Sequence, residues 1–582
     1  MHGSPPSNPE SAGPYCWVPD CEKHLVMNKF LGSPLLMPLR LAIFSALPRQ
    51  LFQLLPIFLI IPMPMTAQRA VSTYHYDNHR TGWNSEETRL TPERVASNAF
   101  GRRMIVGLDD QVDAQPLVVP DVMVAAGGNW EKHDAVYVAT EHNSIYAIDP
   151  ADGKVLLKRN LGAPVVYPLG CGNNGPNVGI TATPVIDMES KTMYVMVYNQ
   201  DAGGPNYRLH ELDLGTLADK TPPQVVAASH RLTDGTTFTF NATYERQRPA
   251  LLLANGNIYA GFGSFCDFSA DQSRGWLLGW QAGTLAPLPA NQVFDSQANS
   301  PNSFFLSSIW MSGYGLATDD GGNILFVTGN SDYSGTTYDG VSNVQESVVK
   351  VSPNLTTTLD LFTPANQSAL EQFDADFGSG GVMVLPEQPG GMPHLAVAAG
   401  KVGTMFLMNE DHLGGYSPVR NNVLGTYSVG PCWCGPSYYV GSDGAARVVS
   451  SGGNYVRVWK LATSGTPSLT RVAKSHFVQG GPDGGFFTTI SSDEHKQAVI
   501  WALSRPFSAQ HFKIYLHAYD PDSHGTPMKQ LFRARAGTWP NVGGNSNLVP
   551  VVANGKVFVA SYRELQIFGL KPESKKAATK TR

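Results

Sequence analysis

The most constraining feature of this chain is a segment type that recurs about every 60 residues. Each copy has a short apolar strand, a turn, a second strand and an Asp-Gly or Asn-Gly pair. The copies lie at 134–157, 255–285, 321–355, 394–415 and 554–570. Apolar and polar residues alternate within the strands, and self-similarity at this period is typical of a radial array of small sheets. The sequence therefore predicts an all-β fold, a β-propeller.

The number of blades follows from the residue that opens each innermost strand. These openings are separated by 49 to 68 residues and stand at Pro116, Pro184, Pro249, Gly315, Gly380, Pro436, Gly485 and Pro550. Eight openings predict eight blades, each a four-stranded antiparallel sheet. The last blade runs out of chain at Leu570 after three strands, so we expect residues 100–108 to supply the fourth strand. Such closure leaves no sheet edge unpaired.

The first 67 residues differ in kind from the repeats. The stretch from Leu35 to Met65 carries only Arg40 and Arg49 as charges, and small residues at its end suit a cut after Ala67. This order is typical of a secretory signal. A membrane anchor is the alternative, but prolines interrupt the apolar run far short of the roughly 18–20 residues that a span needs. We therefore expect a secreted or periplasmic propeller over 68–570, without a stable membrane span in the mature chain.

The remaining composition excludes several classes of function. The net charge of −5 over 582 residues gives no sign of nucleic-acid binding, and the one basic cluster is the tail at 571–582, which we expect to be disordered. The histidines show no zinc-binding spacing. No Cys-x-x-Cys-His sequence occurs, so the chain has no attachment site for a c-type haem.

The cysteines predict disulfides if the chain is exported. Downstream of the expected cut lie Cys171, Cys266, Cys432 and Cys434, an even number for an oxidising compartment. Cys171 precedes the inner strand of blade two and Cys266 lies in a loop of blade three, so the two can be close. Cys432 and Cys434 can close a small ring. Free buried thiols are the alternative.

Several motifs give the chain a resemblance to a known family. The repeat itself resembles the pyrroloquinoline-quinone (PQQ) repeat of quinoprotein alcohol dehydrogenase-like propellers, and the likeness covers nearly all of 71–570. Segments similar to exported PQQ-repeat-like proteins include YDNHRTGWN (76–84), GITATPVID (179–187) and SIWMSGYGLATD (308–319). The resemblance implies the propeller fold and, less specifically, oxidation of an alcohol or sugar with PQQ and Ca²⁺.

The chain departs from that family at two places. The quinoprotein enzymes have a Trp after the Asp-x-x-x-Gly-Lys turn of most blades, where this chain has Val155-Leu156-Leu157. They also have two adjacent cysteines over the quinone, and this chain has Cys432-Trp433-Cys434 instead.

One face of the propeller is the expected site. Because successive antiparallel strands alternate in direction, the segment before each inner strand and the loop between the second and third strands open on the same face. On this face Arg248 and Lys401 can pair with the carboxylates of a quinone cofactor, or they neutralise an Asp of a neighbouring blade. Asp267 and Asp376 can act as a general base or as Ca²⁺ ligands, or they cap turns.

Further candidates on this face are aromatic or amide side chains. Trp310, Trp433 and Trp539 precede inner strands, where they either stack on a planar ligand or pack as core in the channel. Asn545 either forms a polar floor or serves a turn. The insertion at 327–347 is the longest within a blade and suits a lid or a substrate wall.

Two functions remain open at this point. The first is an exported oxidoreductase that uses PQQ and Ca²⁺ to oxidise a small-molecule alcohol or sugar and passes electrons to a separate acceptor. The second is a non-catalytic propeller that binds a protein or glycan ligand at the channel mouth, since a fold does not by itself imply an activity.

Overall fold

The computed structural model describes residues 68–572 except 174, 298–305, 332–337, 482–483, 509, 524–525 and 542–546. The expected signal segment, most of the basic tail, Asn545 and the middle of the 327–347 insertion lie outside these described residues. Eight four-stranded antiparallel sheets follow one another along the chain and form an eight-bladed propeller. The fold predicted from the repeats is confirmed.

The blades are numbered by the order of their innermost strands, and their strands are given from the inside outwards. The strands of blade one are Leu117–Ala126, Asn129–Ala139, Ser144–Ile148 and Val155–Asn160, and those of blade two are Val185–Asp187, Thr192–Asp201, Gly204–Asp213 and Gln224–Val225. The strands of blade three are Leu252–Ala254, Asn257–Ser264, Trp276–Gln281 and Gln292–Val293, and those of blade four are Ala317–Thr318, Ile324–Val327, Val348–Val351 and Thr358–Thr363. The strands of blade five are Val382–Val384, Leu395–Ala399, Thr404–Asn409 and Gly425–Ser428, and those of blade six are Ser437–Val440, Ala446–Ser450, Arg457–Ala462 and Ser468–Lys474. The strands of blade seven are Thr488–Asp493, Lys496–Leu503, Lys513–Asp520 and Lys529–Thr538, and those of blade eight are Val551–Ala553, Lys556–Ala560, Glu564–Leu570 and Phe100–Gly107.

Short elements decorate these sheets. The additional strands are Trp83–Asn84, Val165–Val166, Asn177–Val178, Ser229–Arg231, Thr237–Thr239, Glu245–Gln247 and Gly415–Tyr416. The α-helices are Pro92–Ala96 and Gln367–Gln372, and the 3₁₀ turns are Pro168–Gly170, Ala270–Gln272, Met311–Gly313, Phe377–Ser379 and Gly452–Asn454. Over the described ranges, none of the helices is long and apolar enough to cross a membrane.

The ring closes by joining the two ends of the propeller sequence. Strand Phe100–Gly107 pairs antiparallel with Glu564–Leu570, with Phe100 opposite Leu570 and Gly107 opposite Glu564. The prediction that residues 100–108 complete the last blade is confirmed. Closure pairs the strand edge that the C-terminal blade would otherwise expose.

Hydrophobic clusters fill the seams between neighbouring blades. Leu156 of blade one is buried in the same cluster as Ile186 and Val195 of blade two. Trp501 of blade seven packs in the same cluster as Phe568 of blade eight. Burial of aliphatic side chains at these seams supplies the hydrophobic contribution that holds adjacent blades together.

A hub segment, residues 71–84, joins all eight blades from the inside. It forms a hydrogen bond with the inner strand of every blade in turn, so the inner strand edges do not lack partners. In blade order, these bonds are Val71 N to Val118 O (2.8 Å), Ile186 N to Ser72 O (2.8 Å), Asn78 Nδ2 to Leu253 O (2.9 Å), Thr318 N to Asn78 O (2.9 Å), Val384 N to His79 O (3.1 Å), Tyr438 N to Thr81 O (2.7 Å), Ile490 N to Gly82 O (2.8 Å) and Asn84 Nδ2 to Val552 O (2.9 Å).

Arg80 is the fully buried cation of the hub. Its guanidinium donates to the carbonyl oxygens of Leu316 (2.7 Å), Tyr74 (2.9 Å) and Leu251 (3.3 Å), and to the hydroxyl of Thr73 (2.8 Å). Burial lowers the pKa of Arg80 to about 10, so the side chain stays charged at neutral pH. A charged donor set of this kind satisfies carbonyls that have no access to water.

We expect Arg80→Met to lower the free energy of unfolding by about 3 kcal/mol or more, because several buried carbonyl oxygens lose their donor at once. Denaturation by guanidinium chloride, followed by tryptophan fluorescence, measures the change. Arg94→Met is the matched control, since Arg94 is exposed on helix Pro92–Ala96. Equal denaturation midpoints for the two variants would show that the hub does not depend on Arg80.

Candidate functional site

A cavity of about 320 Å³ lies among the loops of blades two to six, on the face where the inner strands begin. We call it the Arg248 cavity. Its lining residues are Asn173, Arg246, Arg248, Ser264, Cys266, Asp267, Ser308, Trp310, Asp374, Asp376, Lys401 and Trp433. Six of these residues were candidates from the sequence, and the structure brings all six to one place.

Arg248 follows the short strand Glu245–Gln247, which precedes the inner strand of blade three. The residue is 4% exposed, and its Nε and Nη2 atoms have no hydrogen-bond partner among the described residues. Burial, and next the charge of Arg246, lower the pKa of Arg248 well below its usual range. A buried guanidinium with unsatisfied donors is costly, and an anion in the cavity relieves that cost.

Lys401 lies in the turn between the second and third strands of blade five and is held by two carboxylates. Its Nζ atom is 3.0 Å from Asp374 Oδ1 and 3.0 Å from Asp376 Oδ2. Burial opposes the charge of Lys401, but the two carboxylates outweigh burial and raise the pKa of the ammonium. The alternative expected from the sequence is that Lys401 neutralises an aspartate of a neighbouring blade. Lys401 does pair with aspartates, but both precede the inner strand of its own blade.

The two candidate acids have raised pKa values. Burial raises the pKa of Asp376 to about 6, with Lys401 opposing the change and Asp374 and Asp267 adding to it. Asp376 Oδ1 has no hydrogen-bond partner among the described residues. Burial likewise raises the pKa of Asp267, whose Oδ1 accepts a hydrogen bond from the Ser264 hydroxyl. Asp376 is therefore a carboxyl group that exchanges a proton close to neutral pH.

Two half-buried indoles border the cations. The Lys401 ammonium lies 5.7 Å from the ring centroid of Trp310 and 5.7 Å from that of Trp433, and the Arg248 guanidinium carbon lies 5.2 Å from the Trp310 ring. These distances are within the range of cation–π attraction. The indoles and cations together give the cavity walls that suit a flat, negatively charged molecule.

Both expected disulfides are present and both reach this cavity. Cys171–Cys266 joins the segment before blade two to the loop of blade three, with a Cα–Cα distance of 5.7 Å. Arg246 Nη2 donates to the carbonyl oxygen of Asn173, two residues beyond Cys171 (2.9 Å). Cys432–Cys434 brackets Trp433, with a Cα–Cα distance of 4.9 Å. The disulfides thereby fix two walls of the site.

Of the two remaining candidates, one lies elsewhere and one is not described. Trp539 is fully buried in the hydrophobic cluster between blades seven and eight and is not among the residues that line the cavity. Asn545 lies outside the described residues.

Two charged lining residues escaped the sequence analysis. Arg246 and Asp374 each stand two positions before a candidate, Arg248 and Asp376. For Arg246, which lies in the strand Glu245–Gln247, that spacing places the two side chains on the same face and is the signal that could have revealed it. Asp374 lies in a turn with a positive φ of 48°, so the same pattern gives no signal there.

The acidic residues of the cavity do not fit a bound Ca²⁺. No group of three or more His, Cys, Asp or Glu within the described ranges is arranged to hold a metal ion. Asp374 and Asp376 instead converge on the Lys401 ammonium, and Asp267 on the Ser264 hydroxyl. The cation at the centre of these carboxylates is thus supplied by the protein itself.

Comparison with solved structures identifies the fold. A quinohemoprotein alcohol dehydrogenase from Comamonas testosteroni matches with a TM-score of 0.57 and 12% identity, covering 88% of this chain and 82% of the enzyme. A europium-containing methanol dehydrogenase matches with a TM-score of 0.56 and 10% identity, covering 86% and 98%. A quinohemoprotein alcohol dehydrogenase from Pseudomonas putida HK5 matches with a TM-score of 0.53 and 13% identity, covering 88% and 82%.

The chain has the fold of the quinoprotein alcohol dehydrogenases. The resemblance seen in the sequence motifs is therefore confirmed at the level of the fold. No family model and no curated protein sequence matches the chain.

We expect Lys401→Met to lower the free energy of unfolding by about 3 kcal/mol at pH 8 and by less at pH 5. Without the ammonium, the pKa of Asp376 rises further above its usual value of 3.8. A carboxyl group with a raised pKa in the folded state destabilises the fold where it is ionised and not where it is protonated, so the deficit grows with pH.

The measurement is urea denaturation of the variant and the natural protein at both pH values. Lys460→Met is the matched control, because the Lys460–Asp443 ion pair is exposed and its loss costs about 1 kcal/mol or less. A deficit in Lys401→Met that is the same at pH 5 and pH 8 would contradict the buried ion-pair account.

Proposed function

We propose that the Arg248 cavity binds a planar, carboxylate-bearing quinone of the PQQ type and that the protein uses it to oxidise an alcohol or a sugar. A separate acceptor then takes the electrons. The observation that carries the proposal is the buried Arg248 guanidinium, whose Nε and Nη2 atoms have no partner within the described residues. A ligand carboxylate would satisfy both atoms through a bidentate pair.

The remaining lining residues support the same kind of ligand. Trp310 and Trp433 offer ring faces to a flat molecule, and Lys401 stands between those faces as a second positive charge. Arg246 adds a third cation to the same wall. A neutral sugar or an aliphatic ligand brings no negative charge to the Arg248 Nε and Nη2 atoms, so these residues favour a planar anion over either of them.

Asp376 is the residue that we assign to proton transfer. Oxidation of an alcohol removes two electrons and two protons, and a bound quinone supplies the two-electron acceptor. The hydroxyl proton needs a base, and a carboxyl group with a pKa of about 6 is mostly ionised at neutral pH and still accepts a proton readily. Lys401 holds Asp376 in place through Oδ2, which leaves Oδ1 for the substrate hydroxyl.

We expect PQQ to quench the tryptophan fluorescence of the full-length protein in a saturable titration. Arg248→Met should raise the Kd for PQQ by about 10- to 100-fold, because the variant loses one charge-assisted pair. Arg420→Met is the matched control, because Arg420 is an exposed arginine outside the cavity. If the natural protein does not bind PQQ, the quinoprotein function is wrong and a propeller that binds a protein or glycan takes its place.

Asp376→Asn should lower turnover of the PQQ-loaded protein by about 100-fold or more while changing the Kd for PQQ by less than about tenfold. In the natural protein, kcat/KM should rise with pH around a midpoint near 6, because the base acts in its ionised form. Both are measured with an alcohol series and an artificial electron-accepting dye. Asp411→Asn, at an exposed position of the same blade, is the control. Full turnover in Asp376→Asn would exclude Asp376 as the base.

We also propose that the protein is exported and mature near Gln68. Two disulfides in the described residues support an oxidising compartment. N-terminal sequencing of the protein recovered from the periplasm or the medium tests the proposal. A product that stays in the cytoplasm with its first residues intact would contradict it.

A further inference from the structure

A second concave site lies beside blade seven. It has a volume of about 490 Å³, and its walls come from the segment before blade seven, from the loop between the second and third strands of that blade, and from its third and fourth strands. We call it the Arg533 groove and define it by Phe477, Phe507, Lys513, Tyr515, His517 and Arg533. None of these residues belongs to the Arg248 cavity.

The charge of the groove is one-sided. Its described lining includes Arg505, Lys513 and Arg533 but no Asp or Glu. The Arg248 cavity differs, because three aspartates there accompany its three cations. A concave surface lined by cations alone attracts an anion and disfavours a neutral or positive ligand.

The aromatic side chains of the groove are exposed and already ordered. Phe477 is 56% exposed and Phe507 is 46% exposed, although both are apolar. Phe507 stacks on His511 with ring centroids 4.7 Å apart, and the Arg533 guanidinium carbon lies 3.9 Å from the Tyr515 ring centroid. Exposed aromatic rings clustered in a concave site are typical of a surface that binds an apolar group.

A buried imidazole supplies a third, independent feature. His517 is 6% exposed, and its Nε2 atom has no hydrogen-bond partner within the described ranges. Its Nδ1 lies 3.3 Å from the Gln530 side-chain nitrogen, which can only donate, and 3.3 Å from the Tyr519 hydroxyl, which can also donate, so we assign Nδ1 as the acceptor and the ring proton to Nε2. Burial, and next Arg533, lower the pKa of His517 to about 4, so the ring is neutral at pH 7. The groove thus has a buried donor that lacks an acceptor.

From these features we infer that the Arg533 groove is a second ligand site, which takes an aromatic carboxylate. The carboxylate pairs with Arg533 and Lys513, the ring lies against Phe507 and Phe477, and His517 donates to a ligand oxygen. The site is separate from the proposed quinone site. The two sites are nevertheless joined by one hydrogen bond. Arg505, which lines the groove, donates from Nη1 to the carbonyl oxygen of Trp433 (3.4 Å), and Trp433 lines the Arg248 cavity.

The test is calorimetric titration of the full-length protein with 2-naphthoate, compared with 2-naphthalenemethanol and with acetate. The first comparison ligand has the ring without the charge, and the second has the charge without the ring. We expect saturable binding of 2-naphthoate, with either comparison ligand at least about tenfold weaker. No binding of 2-naphthoate, or equal binding of acetate, would overturn the inference.

Variants locate the binding. Arg533→Met and Phe507→Ala should each raise the Kd for 2-naphthoate by about tenfold or more, with unchanged melting temperatures. Lys529→Met is the matched control, because Lys529 is an exposed cation on the same strand as Arg533 and does not line the groove. Loss of binding in Arg248→Met with full binding in Arg533→Met would place 2-naphthoate in the Arg248 cavity and overturn the inference. An equal loss of 2-naphthoate affinity in Lys529→Met would also overturn the inference, since the effect of Arg533→Met would then come from general surface charge.

Discussion

The eight blades depend on the hydrogen bonds of one short segment. Residues 71–84 bond to the inner strand of each blade in turn, and the buried Arg80 satisfies carbonyl oxygens of the hub and of the segments before the inner strands of blades three and four. A propeller whose inner edges faced an empty channel would leave those backbone groups without partners. The hub therefore sets the position of every inner strand relative to a common centre, and the seams and the closing strand 100–107 complete the ring.

The functional face follows from that arrangement. Because every inner strand begins on the same face, the loops of blades two to six meet around the Arg248 cavity. Two disulfides constrain these loops: Cys171–Cys266 constrains the loop that carries Cys266, and Cys432–Cys434 constrains the loop that carries Trp433. The outcome is a site in which the buried Arg248 has two nitrogen atoms without a partner among the described residues, beside a group in which Lys401 is paired with two aspartates. Most residues of the candidate site thus lie in loops, while the strands supply a rigid support.

Much of the fold could be predicted because the repeat is a local pattern. The eight strand openings, the closing strand at 100–108 and both disulfides follow from spacing and from the need to pair sheet edges. The hub could not be predicted, because its bonds join residues such as Asn84 and Val552, which are far apart in sequence. Within the site, Arg248 and Lys401 stood out as charges in the segments expected to open on one face, whereas the fully buried Trp539 resembled Trp310 in its sequence context. Only tertiary packing separates these two tryptophans.

The most direct test of the account is a crystal structure of the full-length protein grown with PQQ. The account predicts the quinone in the Arg248 cavity, with one of its carboxylates within hydrogen-bond distance of the Arg248 guanidinium. Two results would contradict the account. The first is density for PQQ at another place on the propeller. The second is an Arg248 cavity without PQQ in crystals grown from protein that PQQ saturates in solution.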